Sequence, residues 1–474
     1  MNFNSPSFFV FFLIVIGLYS LRISWTVRKF QLLIFSYVFY AAWRPEFVLL
    51  IWISTIVDWQ ASKKIYAAEN NSTRRIWLAF SLATNFGFLV YFKYAQFLFD
   101  NTLQLLGRFG INFEPVDWGI TLPVGISFYT FQTLSYTIDI YRRNSKPCDS
   151  FLDYALYVTF FPQLVAGPIV RSRDFLPQCK EPKRASSIQL SWGITLIIIG
   201  LFEKLVVSDG LLAPRADAAF RSVDKIQFID AWFGSFAFAG QVFCDFAGYS
   251  TTAIGVALCL GFSFQDNFRF PYAAIGFSDF WQRWHISLSS WLRDYLYIPL
   301  GGNRKGAVMT YVNLMITMLL GGLWHGANWT FVAWGGLHGS YLIVERLLTR
   351  ALGHLRIWQW KVSRISLALI TFLLTCVTWV FFRAQDFVFA NSFVQTMFFL
   401  RPGSTHRLFK ATELILIGGV MGVMLTIHWL LRDSSVEEAA ERLPWWLRGI
   451  VLAAMIVAMV TMSGDDRAFI YFQF

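Results

Sequence analysis

The sequence predicts an all-α polytopic integral membrane protein with about 12 transmembrane helices (range about 10–13) plus re-entrant and interfacial amphipathic helices. Three observations carry this. Of 474 residues, 56% are hydrophobic, 19% aromatic and only 15% charged, where a soluble domain carries about a quarter charged residues. Apolar runs near the length of about 20 residues that crosses a hydrocarbon core as helix recur along the whole chain. Strict period-two alternation is not the pattern, which argues against an outer-membrane barrel.

Taken in order, the apolar spans fall at 7–21, 30–43, 46–60, 76–98, 119–140, 188–208, 229–260, 308–324, 329–345, 365–383, 411–431 and 446–462. The first run, Phe8 to Tyr19, has no basic stretch before it and no A-x-A-like site after it, so it is expected to be retained as a helix. Arg44-Pro45 splits the next long apolar region into a hairpin, because proline ends a helix and biases the residue before it. With both termini extracytoplasmic, about 27 of the 40 Lys and Arg face the cytoplasm, the orientation favoured by the positive-inside rule. Two stretches depart from simple spans. "FLDYALYVTFFPQLVAGPIV" (151–170) is broken by Pro162, Gly167 and Pro168 and reads as re-entrant, which is tolerable only if it is buried in protein or lines a cavity. The cytoplasmic stretch 264–307 mixes Trp, Tyr and Phe with Arg and Asp, a composition expected of helices lying at the membrane surface. Without tandem repeats, and with "RDSSVEEAAER" (432–442) as a solvated loop, residues 1–474 read as one domain whose catalytic core lies at about 119–345.

The net charge of +11 is assigned to loop anchoring and lipid contact rather than to nucleic acid. Cys148, Cys179, Cys244, Cys259 and Cys376 show neither C-x-x-C nor Cys/His ligand spacing, so no disulfide framework, zinc site or other metal is expected. No Walker A or G-x-G-x-x-G stretch occurs, which argues against a nucleotide-driven pump. "GYSTT" within 245–255 is not G-x-S-x-G, so a nucleophile elbow is unsupported.

Of six His, His354, His406 and His428 have no supporting pattern, and His338 in "GGLHGS" is expected to pack or hydrogen-bond. His285 and His325 each follow a Trp and sit where an apolar span meets the aromatic, charged stretch. A histidine there either satisfies a hydrogen bond or moves a proton near neutral pH. Lys93, Asp139, Glu203, Lys204 and Asp245 lie in or at the ends of apolar segments. Glu203 and Lys204 read as an interface pair, while Asp245, deep in its span, is a candidate for a polar cavity.

At these residues the chain resembles a known family. "LPVGISFYTFQTLSYTIDIYR" (122–142), "FFPQLVAGPIVR" (160–171), "CDFAGYS" (244–250), "FWQRWHISLSSWLRDYLYIPLGGNRKG" (280–306) and "GGLWHGANWTFVAWGGLHG" (321–339) resemble the membrane-bound O-acyltransferases. The likeness is to the bacterial branch with the alginate and peptidoglycan O-acetyltransferase membrane subunits, and it extends to the closing "AFIYFQF". It implies a ring of tilted helices around a central tunnel, and acyl transfer linking cytoplasmic acetyl-CoA to a polysaccharide outside. It implies His325 as the catalytic His and His285 as its second characteristic His. Family members often carry Asp after G-Y-S, where this chain has Thr251.

The chemistry agrees with the carry-over. A thioester is already activated, so transfer to a hydroxyl needs mainly proton removal, and a positioned neutral His contributes about 10²–10⁴-fold as general base. Asp245, Trp324, Asn328, Arg283 and Arg304 are the expected substrate-binding residues. Arg269, Arg293 and Lys305 join Arg283 and Arg304 as candidates for coenzyme A phosphates or for anionic lipid headgroups. No bound cofactor is expected, acetyl-CoA being a donor substrate. In systems of this kind a separate extracytoplasmic acetyltransferase or glycan-modifying partner completes the reaction, and the location is the bacterial inner membrane. Two alternatives stay open: D-alanyl transfer from a loaded carrier protein to a cell-wall polymer, and transport of an acyl donor without chemistry. Transporters often pair two broken helices, and only 151–170 offers one.

Overall fold

The structure, a computed structural model, describes residues 1–221, 223–462, 464, 467, 469 and 470. Residue 468 and residues 471–474 of the closing "AFIYFQF" thus lie outside the described residues. The described chain contains helices and no strand, and it divides into two compact units, 1–197 with 253–265, and 198–252 with 266–474.

In the first unit the helices are α1 (Pro6–Tyr19), α2 (Trp25–Ala41), α3 (Val48–Ala67), α4 (Asn71–Gly107), α5 (Ile126–Tyr141) and α6 (Phe151–Thr159). α1 starts where the Ser5 hydroxyl accepts the Phe8 N–H at 3.2 Å, with Pro6 in the first turn, where its missing N–H costs nothing. On α3, Asp58 is fully buried and accepts from the Ser81 hydroxyl and the Asn85 amide, the latter at 2.9 Å, tying α3 to α4. The broken segment after α6 is buried, as its composition requires. Its backbone is satisfied by side chains: Phe161 N–H donates to the Ser36 hydroxyl at 3.1 Å, and Val170 O accepts from the Tyr157 hydroxyl at 3.2 Å. α5 starts at 126, not 119, because Gly125 turns the chain at φ +76° with a side-chain position 2.6 Å from Leu164 O, a place only glycine fills.

The second unit holds the later part of α7 (Ser187–Arg221) and most of α8 (Phe228–Cys259), followed by α9 (Phe277–Arg283), α10 (Ile286–Leu292), α11 (Gly306–His325) and α12 (Trp329–Leu352). After these come α13 (Lys361–Arg383), α14 (Phe387–Met397), α15 (Ala411–Leu430) and α16 (Trp445–Thr461). Phe238, Trp284, Trp334 and Trp379 are buried at its centre. α11 and α12 form a tight hairpin: a Cβ at Gly335 would lie 2.2 Å from Met318 O, and one at Gly322 2.2 Å from Phe331 O.

Each expected span overlaps a helix, although 119–140 begins seven residues before one. Among the described residues, α4, α7, α8, α11, α13 and α15 are long and apolar enough to cross a membrane, and α1 and α16 are shorter apolar helices. In the stretch 264–307, Phe280, Trp284, Leu288, Trp291 and Leu292 are buried within the protein, while Trp281, Tyr295 and Tyr297 are half-buried and Ile298 is exposed.

Candidate active site

α11 runs apolar to its last residue and ends in Trp324–His325, because Gly326 turns extended after it. Both side chains are buried, His325 at 3% exposure. The His325 ring meets Trp324 and Trp334 edge-on, each at 4.9 Å between centroids, and Phe382 at 5.3 Å. His285 caps α10 from the left-handed region, at φ 44°. It is fully buried, edge-on to Phe246 at 4.6 Å, with Trp324 at 5.8 Å. The two histidines, forty residues apart in sequence, therefore share the Trp324 indole. A third imidazole continues the row: His338 packs on Trp334 at 4.8 Å, and its Nε2 lies 3.0 Å from the Thr378 hydroxyl.

Burial in an aromatic shell strips water from a charged imidazole and pushes His285 down to about 3. An imidazole that far below neutrality is neutral at physiological pH and a weak base. It suits hydrogen-bonding and orientation.

Asp245 faces a polar cavity of about 60 Å³ lined also by Lys204, Asp209, Asp217, Gln241, Arg383 and Arg467. Its carboxylate pairs with Lys204 and accepts the Ile470 N–H at 2.7 Å. Lys204 pairs with Asp209 at 3.0 Å as well, so the expected Glu203–Lys204 pair is replaced by a buried Asp209–Lys204–Asp245 triad. The cause is local: residues 203–212 form a π turn, whose wider i→i+5 register brings positions 204 and 209 to one side. Across the cavity Asp217 receives both Arg383 and Arg467.

The remaining expected residues are not gathered with the histidines. Arg283 is held by Asp279 at 2.7 Å and by Arg432 O at 2.7 Å, which commits it to the scaffold. Asn328 caps α12, accepting the Thr330 N–H at 3.0 Å and donating to Gln385 O at 3.0 Å. Arg304 is exposed before α11, about 30 Å from His325 at 1.5 Å per residue along that helix. His428 is buried against Phe243 and Tyr272, with its Nδ1 accepting the Tyr272 N–H at 3.3 Å. Sequence reasoning did not single out Asp58, Asp209 or Asn267. No three His, Cys, Asp or Glu among the described residues gather to hold a metal.

These buried imidazoles lie in a helical protein that has, among its described residues, six helices long and apolar enough to cross a membrane. The model of the membrane-bound O-acyltransferase family matches residues 144–405, and the chain belongs to that family. It is an acyltransferase. Over the full length of both chains it is 37% identical to the probable alginate O-acetylase AlgI of Pseudomonas putida. It is 42% identical to the Azotobacter vinelandii protein of the same name, covering 84% of this chain and 78% of that one. It is 33% identical to the peptidoglycan O-acetyltransferase of Helicobacter pylori, over 100% and 97% of the two chains.

Proposed function

We propose that this protein takes an acetyl group from acetyl-CoA at the cytoplasmic face of the bacterial inner membrane and passes it across for O-acetylation of an extracytoplasmic polysaccharide. A separate extracytoplasmic acetyltransferase receives the group and modifies the glycan. The names of the full-length relatives, an alginate O-acetylase and a peptidoglycan O-acetyltransferase, support the acetyl group and the polysaccharide. The basic loops support an orientation with both termini outside. Lipid is a contact of the surface, and nucleic acid is not a partner.

The observation that carries the reading is His325, buried at the end of α11 with His285 across the shared Trp324 ring. In this scheme His325 accepts the proton of the acceptor hydroxyl as its oxygen bonds to the thioester carbonyl carbon. The carbon–sulfur bond then breaks, and the imidazolium returns the proton to the departing thiolate. Each proton moved is returned, so the protein ends unchanged. The aromatic walls keep water from competing for the acyl carbon.

The test reconstitutes the full chain in liposomes and offers radiolabelled acetyl-CoA or a D-alanyl-loaded carrier protein. Release of free coenzyme A with label leaving the thioester supports the reading. Turnover with the loaded carrier alone replaces the donor, and movement of intact acetyl-CoA into the lumen replaces catalysis with transport.

A further inference from the structure

Asn267 lies eighteen residues before His285, belongs to no catalytic motif, and is 1% exposed. Its backbone and side chain both face the His285 turn. Asn267 O accepts the Ile286 N–H at 2.9 Å, and Arg269 N–H donates to Arg283 O at 2.9 Å, so two backbone bonds clamp 267–269 to 283–286. This clamp holds His285 in the left-handed region, which for a residue with a Cβ costs about 1–2 kcal/mol. The side-chain amide does something more specific. Its Oδ1 accepts the Ser287 N–H at 3.2 Å and the Ser287 hydroxyl at 2.8 Å, and lies 3.2 Å from His285 Nδ1. Its Nδ2 donates to the Ser250 hydroxyl at 3.1 Å.

Which way an amide points, and which imidazole nitrogen holds the proton, must be settled by partners of known polarity. A backbone N–H can only donate. The amide atom that meets Ser287 N–H is therefore oxygen, and an amide oxygen can only accept. The Ser287 hydroxyl also lies 3.5 Å from His285 Nδ1 but gives its hydrogen to the nearer Asn267 Oδ1 at 2.8 Å, so the nitrogen of His285 facing that oxygen is the one carrying hydrogen.

We infer that Asn267 is a positioning residue that locks His285 as the Nδ1–H tautomer, leaving the Nε2 lone pair as the atom His285 presents to the site. The partner of one ring nitrogen sets the state of the other, so a scaffold amide decides what His285 offers: an acceptor at Nε2 for a donor on the substrate, not a second donor. This assignment rests on the reading of His285 as a site residue only for its meaning; the tautomer itself follows from the geometry.

The test is therefore spectroscopic as well as kinetic. Full-length protein carrying ¹⁵N-histidine is placed in lipid nanodiscs, and the His285 signals are identified by their loss in His285→Gln. Wild type is expected to show a protonated Nδ1 and an unprotonated Nε2. Asn267→Asp keeps an accepting oxygen and should retain the protonated Nδ1, whereas Asn267→Leu should lose that signature and lower acetyl-CoA turnover while KM for the donor changes little. An Nε2–H tautomer in wild type overturns the inference, as does an unchanged Nδ1–H signature in a folded Asn267→Leu. If Asn267→Leu does not fold, loss of the protonated Nδ1 in Asn267→Asp overturns it equally. The spectra need no turnover, so absence of acetyl-CoA activity would count against the proposed function and leave the tautomer result to stand by itself.

Discussion

Gly335 and Gly336 are neighbours on α12, yet an added methyl should have opposite consequences at the two. At Gly335 a Cβ would sit 2.2 Å from Met318 O on α11, whereas at Gly336 the nearest atom is the end of the Leu319 side chain at 3.6 Å. Backbone cannot rotate away, so Gly335→Ala must part the two helices by about 1 Å to reach an ordinary contact near 3.4 Å. Trp334, the preceding residue, packs on His325 at 4.9 Å, so the parting displaces the His325 ring from its wall. A misplacement of about 1 Å costs on the order of 10²-fold in rate, and that loss is expected in kcat of Gly335→Ala. Gly336→Ala should keep wild-type kcat and gain about 0.5–1 kcal/mol of helix stability. Coenzyme A release in liposomes and thermal denaturation followed by size-exclusion chromatography read the two effects. The reasoning fails if Gly335→Ala stays within about twofold of wild type, or if Gly336→Ala loses as much.

Other consequences are equally specific. Lys204→Met leaves Asp209 and Asp245 buried without their shared cation; the expected cost is about 3–5 kcal/mol, read as a lowered Tm, with partial recovery in the triple variant Lys204→Met, Asp209→Asn, Asp245→Asn. Burial holds His285 at about 3 against about 6.5 in the unfolded chain, so the unfolded chain alone takes up a proton as pH falls below 6.5. This contribution to stability is whole above pH 6.5 and is lost toward pH 3; His285→Gln should therefore show a shallower fall of Tm with acid, and an equal slope would contradict it. Asn328→Ala removes the cap of α12 at about 1 kcal/mol, and KM for acetyl-CoA should not move; a raised KM would put Asn328 on the substrate instead.

Much of this architecture is legible in the chain because a helix in lipid must be apolar along its length and must stop at residues that break it. Ser5-Pro6, Arg44-Pro45 and Gly326 mark such boundaries, and each ends or begins a helix in the structure. The Trp–His pairs were legible for the same reason, since a polar side chain at the end of an apolar run needs a partner. What escaped depends on contacts between distant segments. The Lys204 partners follow from a π turn that shifts side-chain phase, which no α-helical periodicity reveals. Asp58 is a single carboxyl in an apolar run whose partners Ser81 and Asn85 belong to the next helix. In residues 264–307, ion pairs such as Arg283–Asp279 and Arg432–Asp279 satisfy charges while Phe280, Trp284 and Trp291 are buried, an arrangement that the mixed composition alone does not reveal. Asn267 stands in a loop without period, and only the fold shows that it faces His285.

The central claim is that His325 removes the acceptor proton during acyl transfer. The most direct measurement compares acetyl-CoA turnover by wild type and His325→Ala, both shown to be folded and reconstituted in liposomes with a hydroxyl acceptor supplied. A positioned general base is worth about 10²–10⁴-fold, so His325→Ala should lose at least that much in kcat while its KM for acetyl-CoA stays near wild type. Equal kcat in the two proteins would remove His325 from the chemistry and contradict the account.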